Sequence, residues 1–268
     1  MTGFQKIVKY LAIAFAIFLI VSIVGGILGA VGIWNMFSGG SAVSDTVKSY
    51  QIPSPISSLE ITINAADLTV QQADRFLVES NLQDLKVTER NGKLILEEDS
   101  GFAASYTGAK LTVYIPSQTV LESVNIKTGA GKLTVDTLIA NSVRLELGAG
   151  EVRFEQLTAY EKADIEGGAG KITVAGGSLA NLDLEMGVGQ LNLTSALVGS
   201  SELDLGVGET NLTLIGSETA YALDMEKGLG SITVNGEDVS RYSSAKGKNR
   251  IDIDGGIGAI RVVFTENQ

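Results

Sequence analysis

From about residue 121 onward, apolar and polar side chains alternate with a period of two, and a glycine–apolar–glycine triplet resets the alternation again and again. The triplets are Gly129-Ala130-Gly131, Gly148-Ala149-Gly150, Gly168-Ala169-Gly170, Gly187-Val188-Gly189, Gly206-Val207-Gly208, Gly228-Leu229-Gly230 and Gly256-Ile257-Gly258. Their first glycines are spaced by 19, 20, 19, 19, 22 and 28 residues. Aligned on the triplets, the chain resolves into columns. Three residues before each first glycine stand Ile126, Leu145, Ile165, Leu184, Leu203, Met225 and Ile253. Four residues after it stand Leu133, Val152, Ile172, Leu191, Thr210, Ile232 and Ile260, and six after it Val135, Phe154, Val174, Leu193, Leu212, Val234 and Val262.

Strict alternation marks a half-buried strand. Each repeat therefore predicts one strand, a glycine corner, a second strand and a short return. Such a unit cannot bury its apolar face alone, whereas stacked copies line the columns into a continuous core. The expected fold is all-β, a parallel β-helix (β-solenoid) of roughly 19-residue coils. The corner glycines fit a turn that needs permissive backbone angles and close backbone approach. The longer last two spacings predict loops at 215–221 and 235–250.

A weaker coil is visible upstream in Leu59, Ile61, Ile63, Ala65, Leu68 and Val70. Between it and the regular repeats, 76–80, 85–90, 93–97 and 110–115 read as strands. Asn91-Gly92 is a hairpin turn signal and Pro116 is a stop. This region, about 71–118, predicts a hairpin-bearing cap or insertion at one end of a solenoid domain spanning 58–268.

The N-terminal pattern is different. Residues 10–37 carry no charge, which is long enough for a helix to cross a hydrocarbon core of roughly 30 Å. Tyr10 and Trp34 lie near its ends, and Lys6 and Lys9 precede it. The expectation is a short cytoplasmic tail (1–9), a single-pass signal anchor (10–37) with the N-terminus inside, and an extracytoplasmic C-terminal domain. The apolar run is longer than the core of a cleaved signal peptide. Gly25 and Gly29 sit four apart and form a candidate helix–helix contact for a homodimer. Residues 38–57 are rich in Ser and Gly and predict a flexible linker.

Composition then limits the chemistry. The net charge is −11, which opposes binding to nucleic acid. There is no histidine and no cysteine, so the commonest general base, the commonest metal ligand and every thiol chemistry are missing. The glycine triplets lack the third glycine and following helix of a dinucleotide loop. Ile172 stands where a calcium-binding nonapeptide repeat needs Asp. The pattern points to no enzyme, no catalytic residue and no cofactor.

Two acidic columns do stand out. Four residues before the triplets are Asp164, Asp183, Glu202, Asp224 and Asp252; two before are Glu146, Glu166, Glu185, Asp204, Glu226 and Asp254. Alternating with buried positions, they predict an outward stripe for a divalent cation or a cationic peptide. A solvated, salt-screened face is the alternative. A locally basic loop, with Arg241, Lys246, Lys248 and Arg250, is a weaker candidate for contacting anionic polymers.

The run Val113-Tyr114-Ile115-Pro116, then 124–135 (VNIKTGAGKLTV) and its repeats, resembles the bacterial "putative adhesin" family of β-strand-repeat envelope proteins. The resemblance covers roughly 58–264. It implies a right-handed parallel β-helix-like fold, a cell-surface or envelope-stress role and no catalytic residues. The functional expectation is a membrane-anchored, surface-exposed binding or scaffold module. The alternatives are a structural or adhesive protein contacting wall or host polymers, and a membrane sensor that inhibits an envelope protein partner.

Overall fold

The computed structural model describes residues 41–98, 106–226, 228–245 and 247–266. The predicted anchor, with Gly25 and Gly29, lies outside the described residues, as does Lys246. Among the described residues no helix is long and apolar enough to cross a membrane.

The architecture is all-β. In chain order the strands are β1 (Val43–Gln51), β2 (Ser58–Ala65), β3 (Asp67–Ala73), β4 (Leu77–Leu82), β5 (Leu85–Arg90), β6 (Lys93–Glu98), β7 (Lys110–Pro116), β8 (Leu121–Val174), β9 (Gly177–Ala180), β10 (Leu182–Val198), β11 (Ser200–Ile215), β12 (Tyr221–Glu226), β13 (Leu229–Val234), β14 (Glu237–Val239), β15 (Tyr242–Ala245) and β16 (Asn249–Thr265). β8, β10, β11 and β16 each run unbroken through a glycine corner. Parallel, in-register pairing stacks them: Leu184 lies against Ile165 on one side and Leu203 on the other, and Leu203 lies against Ile253.

All three columns are buried, the polar Thr210 included at 5% exposure. Phe154 is the largest fully buried side chain. Burying each such side chain is worth about 1.5–3 kcal/mol, so the stacked columns are the main source of stability. A third, shorter face completes each coil. Ala159 pairs with Leu179 and Leu179 with Leu197, all buried. In sequence this face reads only as a short return, because two apolar residues per coil are too few to show a period.

The corner explains the triplet. Gly208 has φ +147°, and a Cβ there would fall 1.7 Å from the carbonyl oxygen of Gly189 on the coil beneath. The first glycine of the same triplet, Gly206, would meet Gly187 O at 2.0 Å. Coil-on-coil contact at the corner is backbone on backbone, and no side chain fits between.

The coils do not stack in sequence order. β16 pairs parallel with β11 on one side and with β12 and β13 on the other. The last coil in the chain therefore sits next to last in space, inside the coil of residues 221–234. The N-terminal end repeats the device: the β2–β3 coil lies between the β6–β7 coil and the start of β8. Antiparallel strands finish both ends. β4 lies on β7, β5 on β6 and β1 on β4; at the other end β15 lies on β12 and β14 on β13.

Three expectations are corrected. The cap at 71–118 is one of two, because the loop expected at 235–250 folds into β14 and β15 and enters β16 at Asn249. The loop expected at 215–221 includes a 3-10 turn, Glu218–Ala220, and steps over the β16 rung, with Gly216 N–H donating to Thr265 O at 2.7 Å. The linker expected at 38–57 instead contributes β1, and Ile52 and Ile56 are buried. Its Ser, Gly and Pro content hid a strand whose pairing on β4 is interrupted by a register shift between Val43 and Lys48.

Candidate binding groove

The in-register stack converts the two acidic columns into two continuous ladders. The outer one runs Asp164, Asp183, Glu202, Asp252, Asp224, and the inner one Glu166, Glu185, Asp204, Asp254, Glu226, with each residue directly beside the next. The exchanged order of the last two coils changes the sequence of rungs but preserves both ladders. Neighbouring rungs lie about 4.8 Å apart, where two unit charges repel by roughly 0.9 kcal/mol in water and by more where water is partly excluded.

Among the described residues, cations relieve that repulsion at the ends. Arg144 reaches Glu146 at 3.3 Å, Asp164 at 3.3 Å and Glu166 at 2.9 Å, and Lys127 reaches Glu146 at 2.7 Å. These partners hold the Glu146 carboxyl below its ordinary range, the Lys127 hydrogen bond contributing most. At the other end Arg250 pairs with Asp252 at 2.7 Å, and Arg241 with Glu226 at 3.1 Å and Asp224 at 3.6 Å. Thus Arg241 and Arg250 of the predicted basic loop turn back onto the chain's own ladder, while Lys248 is exposed. Between the ends, Asp183, Glu185, Glu202, Asp204 and Asp254 have no ion pair among the described residues. Partial burial, then Asp254 and Asp183, push the Asp204 carboxyl up.

The inner ladder forms one wall of a groove of about 910 Å³ that follows the glycine corner. Its floor is apolar, with Leu147, Met186 and Leu205 along it and Gly167 between the first two. The groove extends from Lys127 to Asp254 across six coils, or about 24 Å at strand spacing. The corner glycines expected to be structural also create this depression, since the first glycine of each triplet presents no side chain toward it. Position by position, the floor residue directly precedes the first glycine: Thr128, Leu147, Gly167, Met186 and Leu205. That column is readable in the sequence, but its small residues mask it.

Chemically the groove offers rows of acceptors over an apolar strip. Among the described residues no group of three or more His, Asp or Glu side chains is gathered closely enough to hold a metal ion. One carboxylate per rung gives linear rather than convergent donors, which suits a long cationic ligand better than a coordinated ion.

A family model covers residues 56–243, from the buried Ile56 to Ser243 in β15. The chain belongs to the Toastrack DUF4097 family. The resemblance carried by the triplets is upheld, and the Toastrack match takes in the whole groove except its β16 rung. No curated protein matches the chain. Solved structures similar to this Toastrack domain include a "putative cell adhesion protein" from Clostridium sporogenes, with 12% identity, 82% of this chain and 99% of that chain covered, and a TM-score of 0.36. A "putative adhesin" from Bacteroides fragilis has 13% identity, covers 82% and 98%, and scores 0.42. A "putative lipid binding protein" from Parabacteroides distasonis has 14% identity, covers 82% and 98%, and scores 0.41.

Proposed function

We propose that this Toastrack domain is a non-catalytic binding module, anchored in the membrane by residues 10–37, that holds an extended cationic segment of an envelope protein along the acidic groove. One observation carries this reading: five carboxylates without ion partners among the described residues stand in register beside an apolar floor. A rigid wall of fixed negative charge attracts cations from a distance and needs no reorganisation when they arrive. An extended peptide with alternating lysine and leucine matches both surfaces, the ammonium groups toward Glu185, Asp204 and Asp254 and the leucines toward Met186 and Leu205. A role in envelope stress accords with a module that detects such segments at the cell surface.

The test is binding of a fluorescent Lys-Leu peptide to the full-length chain in mild detergent. The triple variant Glu185→Gln, Asp204→Asn, Asp254→Asn should lose about tenfold in affinity, since each exposed charge contact is worth roughly 0.2–1 kcal/mol. An acidic peptide of equal length should not bind. Equal affinity in the triple variant, or equal binding of the acidic peptide, would remove the proposal.

A further inference from the structure

Two arginines of the chain already sit on the acidic ladders, and both do so in the same way. Arg144 places Nη1 3.3 Å from Asp164 and Nη2 2.9 Å from Glu166. Arg241 places Nη2 3.6 Å from Asp224 and 3.1 Å from Glu226. In each case one guanidinium spans the outer and the inner carboxylate of a single rung. The two cations come from unrelated backbones. Arg144 stands in the outer column of its own coil and reaches the next one, whereas Arg241 directly precedes β15, an antiparallel strand of the far cap. Their common arrangement therefore belongs to the rung and not to the segment that carries the cation.

Lysine does not reproduce it. Among the described residues Lys127 pairs only with Glu146, at 2.7 Å, and Lys162 only with Asp164, at 3.8 Å. The reason is geometric. The two carboxylates of a rung are two residues apart on one strand face, roughly 6.6 Å from Cα to Cα. A planar guanidinium spreads its N–H donors over three nitrogens and covers such a pair, whereas an ammonium is a compact point charge.

Beside the Arg144 rung lie two rungs of the same kind. Asp183 and Glu185 follow Asp164 and Glu166 in register, and Glu202 and Asp204 follow them in turn. All four residues are exposed, and none has an ion pair among the described residues. Resting on the reading of the groove as the seat of an extended cationic segment, we infer that these two rungs are guanidinium sites and that the segment they select carries arginine at alternate positions. Alternate side chains of an extended segment leave one face roughly 6.6 Å apart, and the long arginine side chain closes that gap to the roughly 4.8 Å between rungs.

Fluorescent peptides of alternating arginine and leucine, and of alternating lysine and leucine, equal in length and charge, are titrated onto the full-length chain in mild detergent. The arginine peptide should bind about fivefold more tightly, since it gains one further exposed charge contact on each of two rungs. Asp183→Asn with Glu202→Gln removes the outer carboxylate of both rungs and leaves the inner ladder for an ammonium. In that variant the arginine peptide should fall to the level of the lysine peptide, whose own affinity changes little. Equal affinity of the two peptides for the parent chain overturns the inference and leaves the groove as a general cation site. So does an arginine preference that persists in the variant, or an equal loss of both peptides in a variant whose circular dichroism is unchanged. If neither peptide binds the parent chain, the reading of the groove falls and the guanidinium sites with it.

Discussion

The carboxylate of Glu98 accepts a hydrogen bond from the backbone N–H of Asn64 at 3.0 Å, at a corner of the first coil in the chain. Asn64 occupies the place that a first corner glycine holds in later coils, directly beneath Gly129. Glu98, only 7% exposed, takes over for that N–H the role that a coil beneath plays elsewhere. Tyr106 OH donates to the other carboxylate oxygen at 3.0 Å. Glu98→Ala should lower stability by about 1.5–3 kcal/mol, the worth of a hydrogen bond to a charged acceptor, and Glu98→Gln by less. Denaturant melts of the two variants check this; equal loss in both would show that packing rather than the hydrogen bond matters.

Ser201→Ala should stabilise the protein by about 1 kcal/mol, because it removes a buried hydroxyl that has no hydrogen-bond partner among the described residues. A raised unfolding midpoint with an unchanged denaturant slope is the expected signature.

The corner and turn glycines should separate sharply. Gly208→Ala places a methyl against the Gly189 carbonyl in a backbone conformation that Ala avoids, and should cost more than about 4 kcal/mol. Gly236 has φ +85°, but a Cβ there would meet nothing within 4 Å, so Gly236→Ala should cost only about 1–2 kcal/mol. Comparable losses at both positions would count against close coil-to-coil packing as the reason for the triplets.

The acidic ladder should show opposite pH signatures in its centre and at its end. The Asp204 carboxyl is raised above its ordinary 3.8, so the folded form binds that proton more tightly than the unfolded form. Its penalty is complete above the folded pKa and is relieved as pH falls through it. Asp204→Asn should therefore raise the midpoint at neutral pH, and the advantage should shrink on acidification. The Glu146 carboxyl is lowered from 4.5, so its contribution is present at neutral pH and lost as pH falls through the lowered value. Glu146→Gln should be destabilising at neutral pH and indistinguishable from the parent in strong acid. Melting series of both variants against the parent read the two signs directly.

The columns, their burial and the corner glycines are legible in the sequence because each is a local repeat. Ile126, Leu133 and Val135 recur with their equivalents in every coil, and all of them are buried. The order of the last two coils is not legible. Asp224 and Asp252 carry the same pattern, and every coil offers equivalent backbone edges to either neighbour, so sequence identifies which residues share a column but not which rungs touch. β1 is hidden because a strand on an antiparallel cap buries little: Val43 and Tyr50 are only half-buried, and no period emerges. The floor of the groove is hidden for a similar reason, since Thr128 and Gly167 stand in the same column as Leu147, Met186 and Leu205.

The antiparallel strands at both ends also fix the number of coils. A parallel ladder exposes at each end an edge that would accept another coil, and stacked solenoids with open ends would grow into filaments. Here a newcomer at one end meets β14 and β15, which run against the coil direction, with Glu237 and Asp238 on β14. At the other it meets β1, with its irregular register and Lys48. The molecule is thus a polymer of repeats with both ends terminated, and its length is set by strands that are not repeats at all.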